Sequence, residues 1–198
     1  MTKKQSRQQQ ESVGVADLGE LALRLAVGGL LAGHGAQKLF GWFGGPGLEG
    51  TSGWLASIGY QPAKSWAALA GLSEFGGGAL TALGLLHPLG PIATLGAMTI
   101  ATIDVHGGKP VWASEGGAEL PITNIAAATA LALAGPGAFS LDRALGIRVP
   151  KAVAALAVLG VAAGVIVAET RPKPMPSAAE SAGAESQTEE PGSSSDPT

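Results

Sequence analysis

Five apolar stretches, residues 17–39, 65–86, 88–105, 120–134 and 152–168, constrain this chain more than any other feature. A helix that crosses the hydrocarbon of a bilayer needs about 20 such residues, within a range of about 17–25. The first three stretches are long enough, the fifth just suffices, and the fourth must borrow Glu119 or Gly135. Breaker clusters punctuate them: Gly44-Gly45-Pro46-Gly47, His87-Pro88, Gly107-Gly108 and Gly135-Pro136-Gly137. A water-soluble bundle would show charges every third or fourth residue along an outer face. Stretches three to five hold a single charged residue, Asp104. The pattern predicts an all-α, polytopic membrane protein: a four-helix transmembrane bundle with a fifth, C-terminal transmembrane helix.

Composition agrees. Of the 198 residues, 46% are hydrophobic and 14% charged, against about 25% charged in ordinary soluble domains. Glycine supplies 31 residues, and small residues let helices approach closely in lipid. No basic patch points to nucleic acid, so the expected partner is the bilayer. Without cysteine there is no disulfide, thiolate metal site or redox thiol.

The polar, Gln-rich residues 1–16 read as a disordered cytoplasmic N-terminus. Residues 17–142 form the four-helix membrane domain, and 143–168 a connector and the fifth helix. Residues 169–198, with Glu180, Glu185, Glu189, Glu190 and Asp196, read as a disordered acidic tail, too poor in apolar surface to offset its ordering entropy. Lys3, Lys4 and Arg7 could begin a signal peptide, but Glu20, Arg24 and His34 interrupt the first apolar stretch and no A-x-A site appears after it. That stretch is therefore read as retained. Cationic residues favour an inner N-terminus by six to five. Trp42, Trp54, Trp66 and Trp112 then crowd the outer interface, which suits amphipathic rings.

Gly45-Pro46-Gly47-Leu48-Glu49-Gly50 matches G-x-G-x-x-G, yet the dinucleotide mechanism requires a strand before it and a helix directly after. It is read as a loop. The informative residues are the charges inside the stretches, which are costly in hydrocarbon and so face partners or cavities. Glu20, Arg24, His34 and Lys38 share an arc of about 80° on an ideal helix, bordered by Gly28 and Gly35. Glu74 sits midway along the second stretch, and Asp104 and His106 close the third. Arg24, His34, Lys38, Glu74, Asp104 and His106 form the candidate intramembrane polar cluster, with an Arg24–Glu74 ion pair at its centre. Three readings stay open for it: an ion pair that fixes packing while Lys38 and His106 snorkel, a cavity for a quinone head group or proton, or a haem between His34 and His106. No catalytic residue and no metal site are assigned, and quinone is the one cofactor kept in view.

At these residues the chain resembles the DoxX family of small bacterial membrane proteins. Arg24, His34-Gly35 and Lys38-Leu39-Phe40 match its first helix, and Glu74, Gly77 and Gly84 its second. His106, Trp112, Gly116-Gly117 and Glu119 match the connector and the start of the fourth. Gly135-Pro136-Gly137 and Ser140-Leu141-Asp142 match the closing motif. The resemblance covers residues 18–142 and implies a multi-pass four-helix bundle in the bacterial cell membrane. It also implies a link to redox and oxidative-stress complexes, since some relatives are subunits of thiosulfate:quinone oxidoreductase. The expected role is a non-catalytic scaffold for soluble redox proteins or other membrane subunits; the alternative is a quinone-binding subunit of such an oxidoreductase. Ser140 is expected to cap a short helix over residues 141–147, and Gly135 and Gly137 to end the fourth span.

Overall fold

The computed structural model describes residues 14–172; the stretches 1–13 and 173–198, which hold most of the polar N-terminus and of the acidic tail, lie outside the described residues. The described residues are helical, without strands. Helix α1 is Val15–Phe40, α2 Gly47–Ser57, α3 Ala63–Leu83, and α4 Leu89–Ile100, which continues as a π-helical turn, Ala101–Val105. Then come α5 Glu119–Ala134, the short α6 Leu141–Leu145, and α7 Lys151–Glu169.

Glycine sets the closest contact. A methyl group at Gly28 would stand 2.6 Å from Ala82 N and Gly78 O, and one at Gly35 would strike the backbone of Phe75. Helices α1 and α3 therefore touch backbone to backbone, antiparallel. The neighbouring stripe of α3 serves α4: a methyl at Gly77 would lie 2.9 Å from Gly90 O. Helix α4 carries α5 on one flank and α7 on the other. A methyl at Gly96 would meet Val161 at 3.3 Å, halfway along both α4 and α7. The end of α7 then inserts Ala168, fully buried, among Leu55, Tyr60, Ala63 and Ala67.

Helix α7 is long and apolar enough to cross a bilayer; residues 89–105 and α5 are shorter apolar helices. Elsewhere the surface is unusually apolar, with Leu30, Leu133 and Leu156 exposed at 68, 83 and 67%. Apolar exposure on this scale suits a lipid or protein interface.

Two expectations change. Residues 47–50 are the first turn of α2 rather than a loop, because Thr51 and Leu55, one turn apart, form a buried stripe. The Thr51 hydroxyl donates to Gly47 O at 2.8 Å and reaches Lys38 O at 3.2 Å, tying α2 to the end of α1. Arg171, expected at the start of the tail, packs into the bundle instead, because the buried Asp104 carboxylate holds it there. The short helix α6 forms as anticipated, with the Ser140 hydroxyl accepting from Arg143 N at 3.2 Å.

Candidate functional site

The six candidate residues do not form one cluster; the helix register divides them between two ends. Opposing pairs on α1 and α3, such as Gly28 with Gly78 and Ala82, place Arg24 beside Gly84. Glu74 lies about ten residues from Gly84 along α3, about 15 Å at 1.5 Å per residue. The expected Arg24–Glu74 pair is therefore absent. Counting depth from the ends of the apolar stretches ignores the offset that the glycine contacts impose.

Arg24 is 3% exposed and serves the loop that ends α5. Its Nη1 donates to Pro136 O, and its Nη2 donates to Phe139 O at 2.5 Å. A side chain at Gly84, which caps α3 with φ of 60°, would strike the guanidinium and Ser140. Beside it Asp142, also 3% exposed, accepts from Leu86 N at 2.8 Å and His87 N at 2.7 Å. The closing motif is thus a structural rung. It satisfies the backbone of the α3–α4 connection.

Glu74, 2% exposed, is met by Lys38, whose ammonium reaches down from the last turn of α1. The lysine side chain stays 30% exposed. Asp104, in the π turn, joins two residues that sequence reasoning missed. Tyr60 donates to Asp104 Oδ2 at 2.5 Å, Arg171 lies 2.8 Å from the same oxygen, and the guanidinium stacks 3.6 Å from the Tyr60 ring centroid. Burial first, then the Asp104 carboxylate, holds the Tyr60 phenol above the usual tyrosine range. Only the fold could find this triad, because its members come from a connector, a π turn and the far end of α7. Tyr60's being the one tyrosine of the chain was the single available signal.

The π turn ends at His106, whose backbone N–H bonds Ala101 O at 3.1 Å. The ring Nδ1 lies 2.6 Å from Gly116 O. His34 stands apart: it is exposed, with Nδ1 3.2 Å from Gln37 Oε1. It sits about 80° round α1 from Arg24, at the flank of the buried arc. His34 thus faces away from the bundle while His106 turns inward. No group of three or more metal-binding side chains occurs among the described residues.

Lys38, Glu74, Asp104, Tyr60 and His106 all border one cleft of about 660 Å³. Its floor is the small-residue face of α4, Ala93, Gly96 and Ala97; α3 contributes Trp66, Leu69 and Ser73, and α7 contributes Gly160, Val161 and Gly164. Helix α2 roofs one end with Trp54 and Leu55. Leu69 and Leu72 on the α3 wall are 54 and 59% exposed, so the cleft reaches the lateral surface. Polar groups gather at the end beneath α2 and the rest is apolar.

Such an arrangement belongs to an all-helical membrane protein whose buried charges pin its helices around an amphipathic cleft. Residues 19–107 match the family model for DoxX, a family of membrane proteins. The match runs from α1 through the π turn, which includes every residue of the candidate cluster. No curated protein and no solved structure matches the chain.

Proposed function

We propose that the chain is a multi-pass subunit of the bacterial cell membrane that binds a quinone-type amphiphile for a membrane redox complex. Helices α1, α3, α4 and α5 make the four-helix transmembrane bundle, and α7 is the fifth span, with the N-terminus inside. The subunit binds rather than catalyses. The observation that carries this reading is the cleft: about 660 Å³, within the about 300–1,000 Å³ of small-molecule sites. Its apolar walls suit an isoprenoid or alkyl chain, and the Lys38 ammonium at its polar end suits a carbonyl or hydroxyl head.

A scaffold role in an oxidative-stress complex is the second reading. It is favoured by the spending of Arg24, Asp142 and Asp104 on internal bonds that hold helices rather than substrate.

Trp54 and Trp66 line the cleft, so a bound quinone ring quenches their fluorescence. Titration of the detergent-solubilised protein with a decyl benzoquinone should give saturable quenching, reduced in a Trp54→Phe, Trp66→Phe variant. Quenching that rises linearly and equally in both proteins would reflect partition into the micelle and would leave the scaffold reading.

A further inference from the structure

We infer that His106 makes the cleft selective for the reduced, hydroxyl-bearing form of its ligand, the quinol over the quinone; this rests on the reading of the cleft as a quinone site. The fixed edge of the ring decides which nitrogen carries the proton. Nδ1 lies 2.6 Å from Gly116 O, and a carbonyl oxygen only accepts, so the proton is on Nδ1. In the neutral ring Nε2 is then an acceptor, and the tautomer is set by the hydrogen bond at the other nitrogen. Among the described residues no hydrogen bond to Nε2 occurs, and His106 lines the cleft together with Lys38 and Glu74.

The other polar groups there are differently committed. Thr51 and Ser73 donate to the carbonyls of Gly47 and Ala70, and Tyr60 donates to Asp104. Lys38 has three N–H donors and meets Glu74 with one of them. A head group that accepts from Lys38 and donates to His106 satisfies both. A quinol, whose hydroxyls both accept and donate, offers both bonds. A quinone carbonyl satisfies Lys38 alone and leaves Nε2 desolvated without a partner, an outcome that costs affinity.

The test measures affinity for decyl benzoquinone and for its quinol, anaerobically at pH 8, above the ordinary imidazole range. The wild-type chain should bind the quinol roughly three- to tenfold more tightly, the worth of one hydrogen bond. Tenfold corresponds to about 30 mV in the potential of the bound two-electron couple. His106→Asn is the informative variant: its amide N–H can still donate to Gly116 O, but it offers nothing in the place of Nε2. It should melt as the wild type does and bind both forms alike.

A second readout needs no substitution. With isotope-labelled histidine, one of the three imidazoles should shift at Nε2 on adding quinol and not on adding quinone. Equal wild-type affinities, or a preference that survives in His106→Asn, would overturn the inference while leaving the cleft a quinone site. An Nε2 resonance indifferent to quinol would overturn it too. Failure of both ligands to bind would remove the underlying reading as well.

Discussion

Lys38 reaches Glu74 across the α1–α3 contact, directly above the point where Gly35 touches the backbone of Phe75. The lysine keeps 30% of its side chain exposed while the carboxylate keeps 2%, so removing one partner is not equivalent to removing the other. Lys38→Met leaves a buried, uncompensated carboxylate and should cost about 3–5 kcal/mol. Glu74→Gln leaves a lysine that can swing to the interface, and should cost less. The double variant should recover part of the loss. Thermal melting in detergent measures all three; strictly additive shifts would show that the pair contributes no coupling.

The glycine contacts are separable from the charges. Gly35→Ala must push α1 off α3 and should destabilise by about 1–3 kcal/mol, as overpacking does. Gly29→Ala, with nothing within 4 Å of the new methyl, should fall within about 0.5 kcal/mol of wild type. Equal melting temperatures for the two variants would contradict the backbone contact.

At the rung formed by the closing motif, Asp142→Ala strands the amides of Leu86 and His87, and should cost about 1–3 kcal/mol. Arg24→Lys keeps the charge but loses the fork that spans Pro136 O and Phe139 O, so it too should destabilise. Cleft binding of quinone should be unchanged in both, because neither residue borders the cleft. Loss of binding at wild-type stability would link the two ends in a way the geometry does not provide.

Tyr60 can be titrated alone, since it is the only tyrosine. Its phenol is raised above the ordinary value of 10.0 by burial and by Asp104. The raised value means that its contribution to stability is present below pH 10 and is lost as pH climbs through the folded-state titration. Tyrosinate absorbance should therefore appear well above pH 10 in the folded protein. Asp104→Asn should bring it part of the way down, burial being the larger cause. A wild-type titration at pH 10 would rule out the buried triad.

The absence of cysteine makes topology simple to read. Cysteines placed at the exposed Ser57, Ala144 and Thr170 report the outer end, the inner end and the end of α7. An impermeant thiol reagent on intact cells should label the first and third and spare the second. Protection at position 170 with labelling at 57 would mean that α7 does not cross.

The helices are written locally, because apolar length and Gly-Pro punctuation are properties of short segments. Those signals locate α1, α3, α4, α5 and α7 within a few residues, and Ser140 as the cap of α6. They also identify which charges must be buried, since Arg24, Glu74 and Asp104 lie within apolar stretches and need partners. The choice of partner belongs to packing. The α1–α3 register rests on which glycines meet which backbone atoms, and Arg24 and Lys38 are about four turns apart on α1, so the register decides which of them meets Glu74. Helix α2 is illegible in the sequence, because its glycines read as a loop until Thr51 and Leu55 have something to pack against. The triad of Tyr60, Asp104 and Arg171 draws on three distant parts of the chain, with Arg171 stacked on a ring over a hundred positions before it, a relation that no local pattern encodes. The cleft itself is the space left where α7 leans on α4 without closing against α3, and a space between helices has no sequence of its own.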